Sequence, residues 1–184
     1  MKRILRFRTA GPLMALALVA AACSGGGDHG ATDTEPTSAA SPAEQREGDP
    51  IPTTAFETFA GESATLAAYT GQPLVLNFWA SWCPSCVAEM SAAFRPAQQA
   101  LGEKVAFLGM NIADERDKAL ELVDETGALF DLAEDSSGEL YTELGGLGMP
   151  FTVFVSADGR VLDVHNGPLT EDQLVDRIND VLLS

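Results

Sequence analysis

Leu74-Val75-Leu76-Asn77-Phe78-Trp79 runs almost unbroken in apolar side chains into Ala80-Ser81-Trp82-Cys83-Pro84-Ser85-Cys86. The first six residues have the length and composition of a strand buried on both faces. Pro84 then suits the first turn of a helix, where its missing N–H is not needed and its fixed φ is already helical. Two thiols therefore stand where a buried strand gives way to a helix. Free backbone N–H groups and the positive end of the helix dipole favour an anion at that point. A thiolate, not a thiol, attacks disulfides, so a lowered pKa there keeps a nucleophile available near neutral pH. Cys83 comes first, belongs at the exposed tip and is the candidate nucleophile. Cys86 lies about one turn further in and is the candidate resolving thiol. A redox-active Cys83–Cys86 disulfide needs no further group, so no cofactor is expected.

Outward from this junction the chain alternates. Phe56 and Phe59 flank a short strand, Ala64-Thr65-Leu66 is a weak second one, and Gly71-Gln72-Pro73 is a turn. A helix is predicted over 84–101, a buried strand over 105–110, and a helix capped by Asp114 that runs to Thr126 and stops at Gly127. Phe130 to Ala133 adds a short strand and Ser137 to Leu144 a short helix. Phe151 to Val155 and Arg160 to Val164 read as a hairpin with a two-residue Asp158-Gly159 turn. Thr170 and Gln173 form a capping-box signature before an apolar stripe of Leu174, Ile178, Val181 and Leu182. The early alternation requires parallel pairing and the hairpin antiparallel pairing, so the fold class is α/β with a central mixed β-sheet flanked by helices. Residues 51–184 form one domain.

The N-terminus reads as an export signal over residues 1–22. Lys2, Arg3, Arg6 and Arg8 precede an uncharged stretch, Thr9 to Ala22, which is too short in apolar residues to span a bilayer. Val19-Ala20-Ala21-Ala22-Cys23 resembles the lipobox of bacterial lipoproteins, in which the cysteine is lipidated and becomes the mature N-terminus. The usual leucine is Ala20 here, and Ala20-x-Ala22 also suits ordinary cleavage. Lipidation of Cys23 accounts for a third cysteine beside one Cys-x-x-Cys pair. It implies an anchor on the outer face of the cell membrane, or secretion if the cysteine stays bare. Residues 23–50, rich in Gly, Ser, Thr, Ala, Pro, Asp and Glu, are a flexible tether that reaches on the order of 30 Å. The formal net charge is −16, and without the four leading cations seven basic residues face 27 acids. Such a body is repelled by nucleic acid, which excludes DNA or RNA as partners.

Phe78-Trp79-Ala80-Ser81-Trp82-Cys83-Pro84-Ser85-Cys86 resembles the active-site segment of the thioredoxin superfamily, and most closely its TlpA/ResA/DsbE branch of envelope-facing thiol–disulfide oxidoreductases. The resemblance runs from about Phe56 to the C-terminus and implies a thioredoxin-like fold. Asn77 stands where thioredoxin has a buried Asp, and the branch commonly has Asn there. Glu89 coincides with the branch's recurring acid, which implies a carboxyl that takes the proton from Cys86; a surface acid early in a helix is the plain alternative. Gly148-Met149-Pro150 resembles the cis-proline loop, which implies a cis bond before Pro150 and substrate pairing on the backbone of Met149. Trp82 then shields the dithiol and contacts substrate, or simply packs. The branch further implies the reductive direction, protein thiol and disulfide substrates such as apocytochrome c, and a membrane thiol donor of the CcdA type.

Four other readings compete. Structural zinc needs four ligands, and only Cys23, His29 and His165 remain beside the pair. A structural disulfide across two residues closes too small a loop to stabilise much. A thiol peroxidase of the peroxiredoxin type uses an isolated cysteine rather than Trp-Cys-x-x-Cys. A copper carrier related to this fold spaces its cysteines three apart, and His165 is poorly placed for it.

Overall fold

The computed structural model describes residues 47–184. The expected signal segment 1–22, Cys23 and the tether as far as residue 46 lie outside the described residues. Seven strands form one mixed sheet in the order β2-β1-β5-β4-β3-β6-β7. They are β1 (Phe56–Thr58), β2 (Ser63–Ala64), β3 (Leu74–Trp79), β4 (Ala106–Asn111), β5 (Asp131–Glu134), β6 (Phe151–Val155) and β7 (Val161–Asn166). The run Leu74–Trp79 occupies the middle of the sheet, parallel to β4 and antiparallel to β6. That position explains why it is apolar on both sides.

Side chains alternate across β3. Val75 and Trp79 enter one core layer beneath the helices that carry the dithiol and the C-terminus. Leu74, Leu76 and Phe78 enter the other layer, with Leu66, Leu140 and Phe151. Asn77 has the parity of Val75 and Trp79 and is fully buried. It therefore faces the dithiol helix, with consequences for Glu89.

The expected helix over 84–101 is continuous in path but changes winding. It comprises α1 (Pro84–Glu89), a π-wound segment Met90–Phe94, and α2 (Arg95–Leu101). Pro96 has no N–H, and its ring displaces the carbonyl one turn back. The backbone widens to take it, and the N–H of Arg95 bonds the Met90 carbonyl five residues earlier.

Helix α3 (Arg116–Thr126) ends at Gly127, whose φ of 63° is left-handed as a helix stop requires. Its N-cap position is Glu115, without a side-chain cap. Asp114 is thus not the cap the sequence led us to expect, because its carboxylate is engaged elsewhere. Helix α4 (Glu139–Glu143) is short, and α5 (Glu171–Arg177) carries the complete Thr170–Gln173 capping box. Leu66, assigned to a strand by its neighbours, instead opens a 3₁₀ turn, Leu66–Tyr69. The β6–β7 connection is longer than two residues: Ser156 and Arg160 bond across it, and Gly159 takes φ 79°.

Pairing with the sheet also begins before residue 51. Gly48 N–H bonds the Val161 carbonyl, Val161 N–H bonds Asp49, and Ile51 N–H bonds Gly159. The last tether residues thus cover the start of an edge strand, giving its backbone groups partners that composition does not reveal.

Candidate active site

Cys83 caps α1. Its N–H bonds the Ala80 carbonyl at 3.2 Å, turning the chain sharply after β3. Its Sγ accepts the Cys86 backbone N–H at 3.2 Å and lies 3.5 Å from Ser85 Oγ. A thiolate at this sulfur would meet a helix N-terminal donor directly. Cys83 and Cys86 are joined in a disulfide. Cys86 is fully buried beneath it.

Cys83 is only 5% exposed, because the flanking loops close around it, so it stands at no exposed tip and instead lines a cleft of about 480 Å³. Trp82, Pro84 and Ser85 line it from the dithiol segment, Ile112 and Ala113 from the loop after β4, and Tyr141, Gly148 and Met149 from α4 and the loop before β6. None of these side chains carries a charge. Trp82 is 58% exposed, and its indole N–H donates to the Ala113 carbonyl at 2.8 Å. Met149 is half-buried, the Met149–Pro150 bond is cis, and Pro150 is buried. The sequence-predicted Trp82, Cys83 and Met149 thus meet at one cleft, with Cys86 behind Cys83 and Pro150 beneath Met149.

Glu89 does not lie on the surface. One turn below Cys86, it is only 3% exposed. Its Oε1 accepts the Leu169 N–H at 2.6 Å, and its Oε2 lies 3.4 Å from Asn77 Nδ2. Desolvation pushes its pKa up to about 7, against the opposing effect of those two donors. Asn77 Nδ2 also donates to Thr152 Oγ1 at 3.1 Å, and Asn77 Oδ1 has no partner among the described residues. A half-turn of the amide would let Oδ1 accept a proton carried by Glu89. The acid can thus be accommodated in both protonation states.

One residue of the site escaped the sequence reading. Asp114 accepts from Ser81 N–H at 2.5 Å, Ser81 Oγ at 2.6 Å, Asn111 Nδ2 at 2.9 Å and Glu115 N–H at 2.9 Å. Partial burial works to raise its pKa, yet the bonds from Asn111, Ser81 and Glu115 together outweigh it and hold the carboxyl below its ordinary value. No local pattern links Ser81 to Asp114. They meet because β3 and β4 pair in parallel, Trp79 beside Asn111, so that the two loops leave the sheet side by side.

The Redoxin family profile matches residues 46–182. The chain belongs to the Redoxin family. Its thioredoxin-like architecture matches a secreted Mycobacterium tuberculosis disulfide oxidoreductase homologous to E. coli DsbE, at a TM-score of 0.63 and 26% identity, over 70% of this chain and 96% of that one. Among sequences, this Redoxin chain is 33% identical to the thiol:disulfide interchange protein DsbE of Vibrio cholerae over 123 residues, 65% of each chain. It is 32% identical to the DsbE of Tatumella citrea over 136 residues, 71% of each. The chain thus spans just under two-thirds of the Vibrio relative's length. These likenesses place it among the DsbE-like members of the thioredoxin superfamily.

Proposed function

We propose that this chain is an extracytoplasmic thiol–disulfide oxidoreductase that exchanges disulfides with envelope proteins through Cys83 and Cys86. The observation that carries the reading is the position of Cys83. It caps a helix, receives a backbone N–H, and lines an uncharged cleft with Cys86 directly behind it. In the reductive cycle the Cys83 thiolate attacks one sulfur of a substrate disulfide, and the other sulfur leaves as a thiolate that takes up a proton. Glu89 then accepts the Cys86 proton. The Cys86 thiolate attacks the Cys83 sulfur, the second substrate sulfur leaves as a thiolate that takes up the proton held by Glu89, and the Cys83–Cys86 disulfide forms. Two electrons pass from the protein dithiol to the substrate, and no cofactor is involved. Trp82, Met149 and Pro150 bind the substrate segment.

The reductive direction is supported by what surrounds Cys83. An oxidant of this fold stabilises its thiolate strongly. Here one backbone N–H meets the Cys83 sulfur and no cationic side chain lines the cleft, which favours a reductant over an oxidant. The TlpA/ResA/DsbE resemblance supports apocytochrome c and related envelope proteins as substrates, and a CcdA-type membrane donor that re-reduces the pair. The basic start and the Cys23 context support export and a lipid anchor.

Equilibration of the full chain with glutathione buffers tests the direction: a reduction potential near thioredoxin's supports a reductant, and one near DsbA's overturns it. Cys83→Ser is expected to abolish reduction of insulin disulfides, and Cys86→Ser to accumulate mixed disulfides visible by mass spectrometry. Unchanged turnover in either variant removes the assignment.

A further inference from the structure

We propose that Asp114 is the positioning residue of the dithiol: its carboxylate clamps Ser81 to the loop after β4 and thereby sets the register of Trp82 and Cys83. This inference rests on the oxidoreductase reading only for its turnover measurement.

Four donors converge on this one side chain. Two come from a single residue of the neighbouring loop, the N–H and Oγ of Ser81, at 2.5 and 2.6 Å. The other two, Asn111 Nδ2 and Glu115 N–H, hold the carboxylate in place from its own loop. Asn111 Nδ2 also reaches the Trp79 carbonyl at 3.4 Å, so the same amide touches both ends of the join. A helix cap would direct its oxygen at the second or third N–H of the helix. This carboxylate is directed at another loop.

Ser81 is two residues before the nucleophile, and a second tie lies between them. Ala113 adopts φ 47°, a left-handed conformation that a residue with a Cβ seldom takes. Its carbonyl in that conformation receives the Trp82 indole N–H. It is flanked by Ile112 N–H on the Trp79 carbonyl and by the Asp114 carboxylate on Ser81. The loop after β4 thus holds three of the four positions from Trp79 to Trp82, all but Ala80, by bonds to Ile112, Asp114 and Ala113. Cys83, next along the chain, inherits its place over the α1 N–H groups from that fixing. An attack in line with a disulfide needs the sulfur in a narrow range of positions, and a misplacement of about 1 Å can cost about 100-fold in rate.

The clamp is tested in the full chain with Asp114→Ala, Asp114→Asn and Ser81→Ala, and with Asp117→Ala as a control in the first turn of α3. Four readouts apply: the rate of insulin disulfide reduction, the reduction potential against glutathione, the pH midpoint for iodoacetamide alkylation of reduced Cys83, and tryptophan emission. Trp79 is buried, so a red shift reports release of Trp82. Asp114→Ala is expected to slow reduction by about tenfold or more, raise the alkylation midpoint and shift the emission. Asp114→Asn retains an oxygen for Ser81 and falls between it and the wild type. Ser81→Ala loses one of the two bonds and slows reduction by about threefold.

Two outcomes overturn the clamp. In one, the melting temperature drops while rate, potential, alkylation midpoint and emission stay at wild-type values. In the other, Asp114→Asn equals Asp114→Ala while Ser81→Ala changes nothing, which assigns the effect to charge alone. If Asp114→Ala does not fold, Ser81→Ala decides by the same readouts. A wild-type chain without turnover ends the oxidoreductase reading, while alkylation and emission still judge the clamp.

Discussion

Glu89 carries the sharpest consequence of the site. As a base for Cys86 it must be a carboxylate, and its pKa of about 7 places that requirement in the working range. The rate at which mixed disulfide resolves should therefore climb as pH rises through about 7 in the wild type. Glu89→Gln is expected to flatten that profile and to slow resolution by about 100-fold at neutral pH, measured by acid-quenched mass spectrometry of the mixed disulfide. A profile unchanged in the variant removes Glu89 from the proton path. The sequence raised this residue but left it between a buried acid and a surface one. Its position three residues after Cys86 suited both. Burial depends on Leu169 and Asn77 arriving from 80 and 12 residues away, and no local pattern encodes that.

At the scale of elements, α4 and the loop 145–148 after it supply Tyr141 and Gly148 to the wall of the cleft. Tyr141 packs edge-on against Phe78 and Phe151, with centroids 5.5 and 5.6 Å away, while its ring also lines the cleft. Gly146 makes that placement possible, because a Cβ there would lie 2.2 Å from the ring. Gly146→Ala should push Tyr141 out of its position and destabilise the fold by about 1–3 kcal/mol. We expect a raised KM for protein disulfides with the alkylation of Cys83 unchanged, since nothing in α1 moves. Equal KM values would show that α4 has no share in substrate binding. The same scale shows where pattern reading succeeds. The Thr170–Gln173 box and the Gly127 stop came out as expected because capping is chemistry within one turn. The π segment Met90–Phe94 did not, although Pro96 is plain in the sequence: whether a helix breaks, kinks or widens at a proline depends on what packs around it.

The whole molecule responds to pH and salt in ways set by the same features. Glu89 releases its proton near 4.5 in an unfolded chain and near about 7 in the fold. Between those values the folded chain holds a proton that the unfolded chain has lost, so stability must fall as pH rises through the window. The full shift corresponds to roughly 3 kcal/mol. Denaturant titrations at pH 5 and pH 8 should show that loss in the oxidised wild type and a smaller one in Glu89→Gln; equal losses would mean that Glu89 is not the group responsible. Net charge acts at longer range. At −16 overall, the chain should reduce a disulfide peptide flanked by lysines faster than one flanked by glutamates, and added salt should narrow the gap. Salt-independent rates for both peptides would show that encounter ignores this charge.

From the sequence alone came the strand-to-helix junction, the order of elements, the mixed sheet and the pair of cysteines that the fold joins. Each of these is written in contiguous residues, where apolar runs, turn residues and caps act on their immediate neighbours. The folded structure alone decided that Glu89 is buried, that residues 48–50 cover an edge strand, and that Asp114 binds Ser81 across 33 positions instead of capping its own helix. Those facts follow from which strands lie side by side, and parallel pairing of β3 with β4 joins loops whose sequences bear no mark of each other.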